Sequence, residues 1–171
     1  MKLLLASLMI VCTLDPASMA APFKDSVERS LSAADFDSIQ AALDANSDRM
    51  IFVPSGDYLI STKIRIRGER SGLFGHGRII QQDPNQPIIE IENARGAEIR
   101  DPTLTRPDNA METMNEGILA IRCDDFVIEN VKVLDNHTRS ASVALRECKG
   151  ARISRCLVRN YADGYCENRG Q

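Results

Sequence analysis

The sequence predicts an all-β solenoid, a right-handed parallel β-helix with a short amino-terminal capping helix, and three observations predict it. A nine-residue pattern recurs at long intervals, its aligned positions are small or apolar, and a short amphipathic helix precedes the first strand.

The repeat is the strongest of these. Ile91 to Ile99 matches Leu145 to Ile153 position by position at an offset of 54 residues, and Ile121 to Ile128 is an intermediate copy, so copies follow at 25 to 29 residues. One column holds Ala94, Cys123 and Cys148, and others hold Ile99, Ile128 and Ile153, then Pro102, Val131 and Cys156, then Leu104, Val133 and Val158. Polar residues such as Arg100, Glu129 and Ser154 fall between them, which is the alternation of strands with one buried face. No copy can bury its apolar side alone. Copies stacked about 4.8 Å apart place like residues over like and form one continuous core. A leucine-rich repeat needs a tighter leucine pattern with an asparagine at fixed spacing, and a β-sandwich gives no reason for the echo.

The elements follow in chain order. Residues 1–20 read as a signal peptide, with Lys2, the apolar run Leu3 to Leu14 and the cleavage site Ser18-Met19-Ala20. Asp15 and Pro16 interrupt the run too early for a membrane span, and Met9-Ile10-Val11 before Cys12 does not suit lipid attachment. The expected location is therefore secreted or periplasmic. Residues 21–34 form an amino-terminal arm, and 35–171 form the β-helix domain. Asp37 and Gln40 make a capping-box pattern, followed by the helical stripe Ile39, Ala42 and Leu43. Met50 to Val53 reads as a strand, Pro54 to Asp57 as a turn, and Tyr58 to Ile60 and Lys63 to Arg67 as further strands. Asn160 to Cys166 closes the chain without a recognisable cap, so the domain is expected to be incomplete at its carboxyl end.

Composition narrows the partners. The 21 basic residues are scattered among 24 acidic ones for a formal charge of −3, which gives no footprint for a nucleic-acid partner. After signal removal four cysteines remain, Cys123, Cys148, Cys156 and Cys166, without C-x-x-C spacing and far in sequence from His76 and His137, so no metal site is expected. Cys123 and Cys148 share a column of adjacent coils. A disulfide and a stack of buried thiols are both open to them.

Phe36 to Leu43, Ile51 to Tyr58 and Gly72 to Gly77 together resemble the opening of pectate-lyase-superfamily β-helix proteins, and the resemblance runs from about Asp35 to the end. It implies an exported carbohydrate-active protein with a polysaccharide partner, either a lyase or a glycoside hydrolase on uronate-rich substrate. The alternative is a noncatalytic carbohydrate-binding or cell-surface β-helix; five Phe, three Tyr and no Trp give no obvious stacking platform for it. A phage tailspike fits poorly with a signal peptide.

A hydrolase needs two carboxylates, roughly 6.5 to 9.5 Å apart if it inverts. Asp124-Asp125, Gly75-His76-Gly77 and Arg152-Ile153 resemble polygalacturonase motifs but stand in the wrong order. Gly75 and Gly77 are instead expected to make a positive-φ turn with His76 exposed at its tip, and Asp125, aligned with Gly96 and Gly150, to be a turn residue. A lyase needs acidic ligands for Ca²⁺ and a base. No cofactor is evident from the residues themselves. The catalytic candidates are Asp135, His137 and Arg139, between repeat copies and off the core columns. Arg106, Asp108, Glu112 and Glu116 one coil earlier, and Asp163 one coil later, are the substrate-binding candidates, in stacked loops that would line a groove. Asn136-His137-Thr138 also fits a glycosylation acceptor.

Overall fold

The computed structural model describes residues 31–159 and the strand Asn168–Arg169. The expected signal peptide, most of the arm, Asp163 and Cys166 lie outside the described residues.

The chain is a parallel β-helix. Three strands form each coil: β1 (Met50–Phe52), β2 (Asp57–Ile60) and β3 (Ile64–Glu69), then β4 (Gly72–Phe74), β5 (Arg78–Gln81) and β6 (Ile89–Arg95). The third coil is β7 (Glu98–Arg100), β8 (Thr103–Thr105) and β9 (Ile118–Ile121), and the fourth β10 (Val127–Glu129), β11 (Lys132–Leu134) and β12 (Val143–Arg146). The last is β13 (Arg152–Ser154), β14 (Leu157–Arg159) and β15 (Asn168–Arg169). Corresponding strands stack into three five-stranded sheets: sheet A from β1 to β13, sheet B from β2 to β14 and sheet C from β3 to β15. Every pairing is parallel.

The register reproduces the columns read from the repeat. Ile99 pairs with Ile128 and Ile128 with Ile153, while Leu104 stands over Val133 and Val133 over Val158. Two earlier coils extend the stack, with Ile51 and Leu73 above Ile99 and Tyr58 and Ile79 above Leu104. Their repeats had diverged too far to align by sequence. Ile51, Leu73, Ile99 and Ile128 are fully buried, whereas Ile153 is 44% exposed in the last described coil.

Corners are built by residues with positive φ. Between sheets A and B one residue turns the chain, Asp101 at 74°, Asn130 at 54° and Arg155 at 54°, and Asn130 Nδ2 donates to Asp101 Oδ1 at 2.7 Å. Between sheets C and A the turn residues are Gly96, Asp125 and Gly150, so Asp125 is the turn residue its alignment implied. Gly75 has φ of 113° and His76 is exposed, but Gly77 is not left-handed. Gly77 is required by packing instead, because a Cβ there would lie 2.4 Å from Val53 Cγ1.

The helix α1 (Ile39–Ala45) covers the first coil, with Ile39, Ala42 and Leu43 buried in the main core. Its N-cap is Ser38, whose Oγ accepts from the Ala41 amide at 3.0 Å, one residue later than the capping pattern predicts. Gln40 is thereby freed from the cap and reaches β3. Its Oε1 accepts from the Arg65 amide at 2.7 Å and its Nε2 donates to the Arg65 carbonyl at 3.3 Å. Asp48 Oδ1 likewise accepts from the Glu69 amide at 2.7 Å. These side chains occupy groups of an edge strand that would otherwise template association.

Gly72 marks the tightest approach between coils, since a Cβ there would lie 1.8 Å from the Glu98 carbonyl oxygen. Gly72→Ala must push β4 from β7 and is expected to cost about 1 to 3 kcal/mol or more. Chemical denaturation checks this: an unchanged midpoint would show that the sheet yields freely.

Candidate functional site

The long connections run from sheet B to sheet C, over residues 82–88, 106–117 and 135–142. Thr113 bridges to Thr138 in parallel fashion, with the Thr113 amide donating to the His137 carbonyl at 3.0 Å and the Arg139 amide to the Thr113 carbonyl at 2.9 Å. Thr113 Oγ1 also donates to the Pro84 carbonyl. The loops therefore stack, as the spacing of the candidates implied.

Their interior is a polar core around Arg106. Arg106 is 1% exposed; Nε donates to Asn136 Oδ1 at 2.9 Å, Nη1 to the Asp83 carbonyl at 2.8 Å and Nη2 to the Gln86 carbonyl at 2.7 Å. The guanidinium thus ties all three loops, facing protein rather than solvent, and burial pushes its pKa down. Asn136 is buried with Oδ1 engaged, and Nδ2 donates to the Asn115 carbonyl at 3.5 Å, so a glycan cannot be carried there in this fold. Glu116 is also buried, accepting from Ser140 Oγ at 3.2 Å and Arg146 Nη2 at 3.0 Å.

The other candidates sit at the rim. Arg139 and Glu112 are exposed and form an ion pair at 2.7 Å, Asp108 is exposed and Asp135 is half-buried. His137 adopts φ of 50°, and its Nε2 is buried without a hydrogen-bond partner. The structure brings Arg139, Glu112 and His137 together through the Thr113–Thr138 bridge.

Asp83 holds its loop by accepting from the Asn85 amide at 2.8 Å and from Gln86 Nε2 at 3.0 Å, and these bonds, the Asn85 amide first, hold its carboxyl below the usual range. Its stabilising effect is therefore complete above the unfolded value of about 3.9 and lost as pH falls through the lower folded value. Asp83→Asn is expected to flatten the acid limb of the stability profile. An acid limb identical to that of the parent would contradict this.

Beside the loops lies the outer face of sheet C, which sequence reasoning passed over. Arg65, Glu90, Leu119 and Ala144 form one outward row, and Glu92, Ile121 and Arg146 form the next. Lys63 Nζ lies 2.5 Å from Glu90 Oε2, and Arg67 Nη2 and Arg122 Nη2 hold Glu92 at 2.8 and 3.0 Å. The Arg67 hydrogen bond is the main cause that keeps the Glu92 carboxyl below the usual range. Glu90 and Glu92 are two positions apart on one strand face, which sets them about 6.6 Å apart along the backbone. The available signal was the alternation Ile89-Glu90-Ile91-Glu92 inside a repeat copy.

At the helical end of this face is a half-open cleft of about 650 Å³ between α1 and β3, lined by Gln40, Asp44, Lys63, Arg65, Arg67 and Gln86 among others. A second cavity of about 230 Å³ lies between the first two loops, beside Arg106. Among the described residues no group of three or more His, Cys, Asp or Glu could hold a metal ion. Among the same residues no helix is long and apolar enough to cross a membrane. Cys123 and Cys148 stand in neighbouring coils as free thiols, and burial pushes the Cys123 thiol up. Cys123 is expected to resist alkylation until the protein unfolds; rapid labelling of the native chain would contradict its burial.

No protein-family model matches the sequence, and no curated protein matches it. Among solved structures the chain is similar to one from Parabacteroides merdae described as a putative glycosyl hydrolase, with a TM-score of 0.59 and 15% identity over 82% of this chain and 90% of the other. At that identity the likeness is one of fold.

Proposed function

We propose that the chain is an exported, carbohydrate-active β-helix protein of the pectate-lyase superfamily that acts on uronate-rich polysaccharide along the outer face of sheet C. The observation that carries this reading is the row of carboxylates and cations on that face, Glu90 and Glu92 among Lys63, Arg65, Arg67 and Arg122, flanked by three stacked loops. Paired carboxylates suit glycosidic chemistry, and exposed guanidinium groups suit uronate carboxylates. The description of the structural neighbour as a glycosyl hydrolase supports the same class, and the apolar run before Asp15 supports export.

Hydrolysis is the reaction this row favours. Glu92, held ionised by Arg67, suits the base that activates water, and Glu90, paired with Lys63, lies beside it on the same strand face. Asp135, His137 and Arg139 at the loop rim are the set for the second reading, lysis, favoured by the unpartnered His137 Nε2. Asp108 and Glu112 would then contact the sugar chain.

The test is a panel of uronate-containing polysaccharides with and without Ca²⁺, monitored for new reducing ends and for unsaturated products. Reducing ends without unsaturation, lost about 10²- to 10⁴-fold in Glu92→Gln, are expected. Ca²⁺-dependent ultraviolet absorbance would favour lysis at the loop rim, and neither signal from a folded chain would refute catalysis.

A further inference from the structure

The cleft under the capping helix borders the carboxylate row and shares its cations, and it is larger than the cavity beside Arg106. Lys63, just before β3, and Arg65 and Arg67 within it alternate along one side at intervals of about 6.6 Å and share the cleft with Gln40 and Gln86. Lys63 and Arg67 are held by Glu90 and Glu92. Arg65 differs: its side chain is 52% exposed and its Nε lies 3.8 Å from Glu90 Oε1, beyond hydrogen-bond reach. Its backbone is nevertheless fixed in both directions by Gln40, and Gln40 Nε2 also lies 2.8 Å from Asp44 Oδ1. A guanidinium with open donors on a fixed strand suits the oxygens of an anionic group.

We propose that this cleft is a recognition subsite for an anionic sugar residue, in which Arg65 holds the carboxylate or sulfate group and so determines specificity. Resting on the reading of the chain as a carbohydrate-active protein, it adds where the substrate's charge is read. A volume of about 650 Å³ is in the range of small-ligand sites, roughly 300 to 1,000 Å³. The lining supplies the few convergent polar groups such sites use, and α1 closes one wall. Gln86 belongs to the loop that Arg106 anchors, so the cleft is continuous with the loop stack. A chain entering here would run on across Glu90 and Glu92.

Calorimetric titration of the full chain tests this with tetragalacturonate, a sulfated tetrasaccharide and neutral cellotetraose. Tetragalacturonate or the sulfated sugar is expected to bind and cellotetraose is not, and which anion binds identifies the source of the charge. Arg65→Gln is expected to weaken binding at least tenfold, and Arg65→Lys to retain part of it, as fits loss of one charge-assisted contact. Because Arg65 is more than half exposed, both variants should keep the parent's circular dichroism. Equal affinity in Arg65→Gln, equal binding of cellotetraose, or no binding of either anion would overturn the subsite. Polysaccharide turnover measured alongside separates the two claims: turnover with unaffected binding in Arg65→Gln removes the subsite alone, and Arg65-dependent binding without turnover removes the enzyme alone.

Discussion

Arg106→Ala is expected to lower the unfolding free energy by about 3 to 5 kcal/mol, because it leaves three acceptors without their donor at roughly 1 to 3 kcal/mol each. The change strips partners from Asn136 Oδ1 and from the carbonyls of Asp83 and Gln86, each in a different part of the loop stack. Water cannot replace a guanidinium that spans three loops at once without opening them. Arg106→Lys should recover little, because an ammonium on a single stem cannot serve the fork geometry of Nε, Nη1 and Nη2 together. Urea unfolding of both variants measures this. A shift of less than about 1 kcal/mol in the alanine variant would mean that the loops hold their positions without Arg106.

Phe126→Ala is expected to cost a comparable amount, about 3 to 5 kcal/mol. Phe126 is fully buried and occupies the column of Ala97, with which its neighbour's amide makes a 2.9 Å bond. Ala97 is small and fully buried, so the ring fills space that neighbouring coils leave, and the hydrogen-bonded ladder on both sides limits collapse into the cavity. Phe126→Leu should lose about half as much. A midpoint unchanged in the alanine variant would show that the coils can close on the void.

These two residues show what the sequence made legible. The columns through Ile99, Leu104 and Ala94 were readable because identical inward positions must be small or apolar in every coil, and the register confirms them. The first two coils were read as separate strands because their repeats have other lengths, including the irregularity between Ile66 and Gly68. The loops were legible as stacked, but not which side chains turn inward. Arg106, expected at the substrate, became the buried strut because three acceptors from other coils converge on it, a coincidence that only long-range register creates. Glu90 and Glu92 were overlooked for the opposite reason. They lie within a repeat copy, where attention falls on the apolar positions, and the charged face between those positions reads as ordinary solvated surface. Gln40 shows the same limit at the cap, since its partner on β3 lies 25 residues away.

Hydrogen exchange of the full chain with and without polygalacturonate tests the central claim most directly, because it reports where the polymer lies. Slowed exchange is expected in β3, β6 and β9, in residues 106–117 and 135–142, and at α1, with sheet A unchanged. Protection confined to sheet A, or none at saturating polymer, would contradict the account.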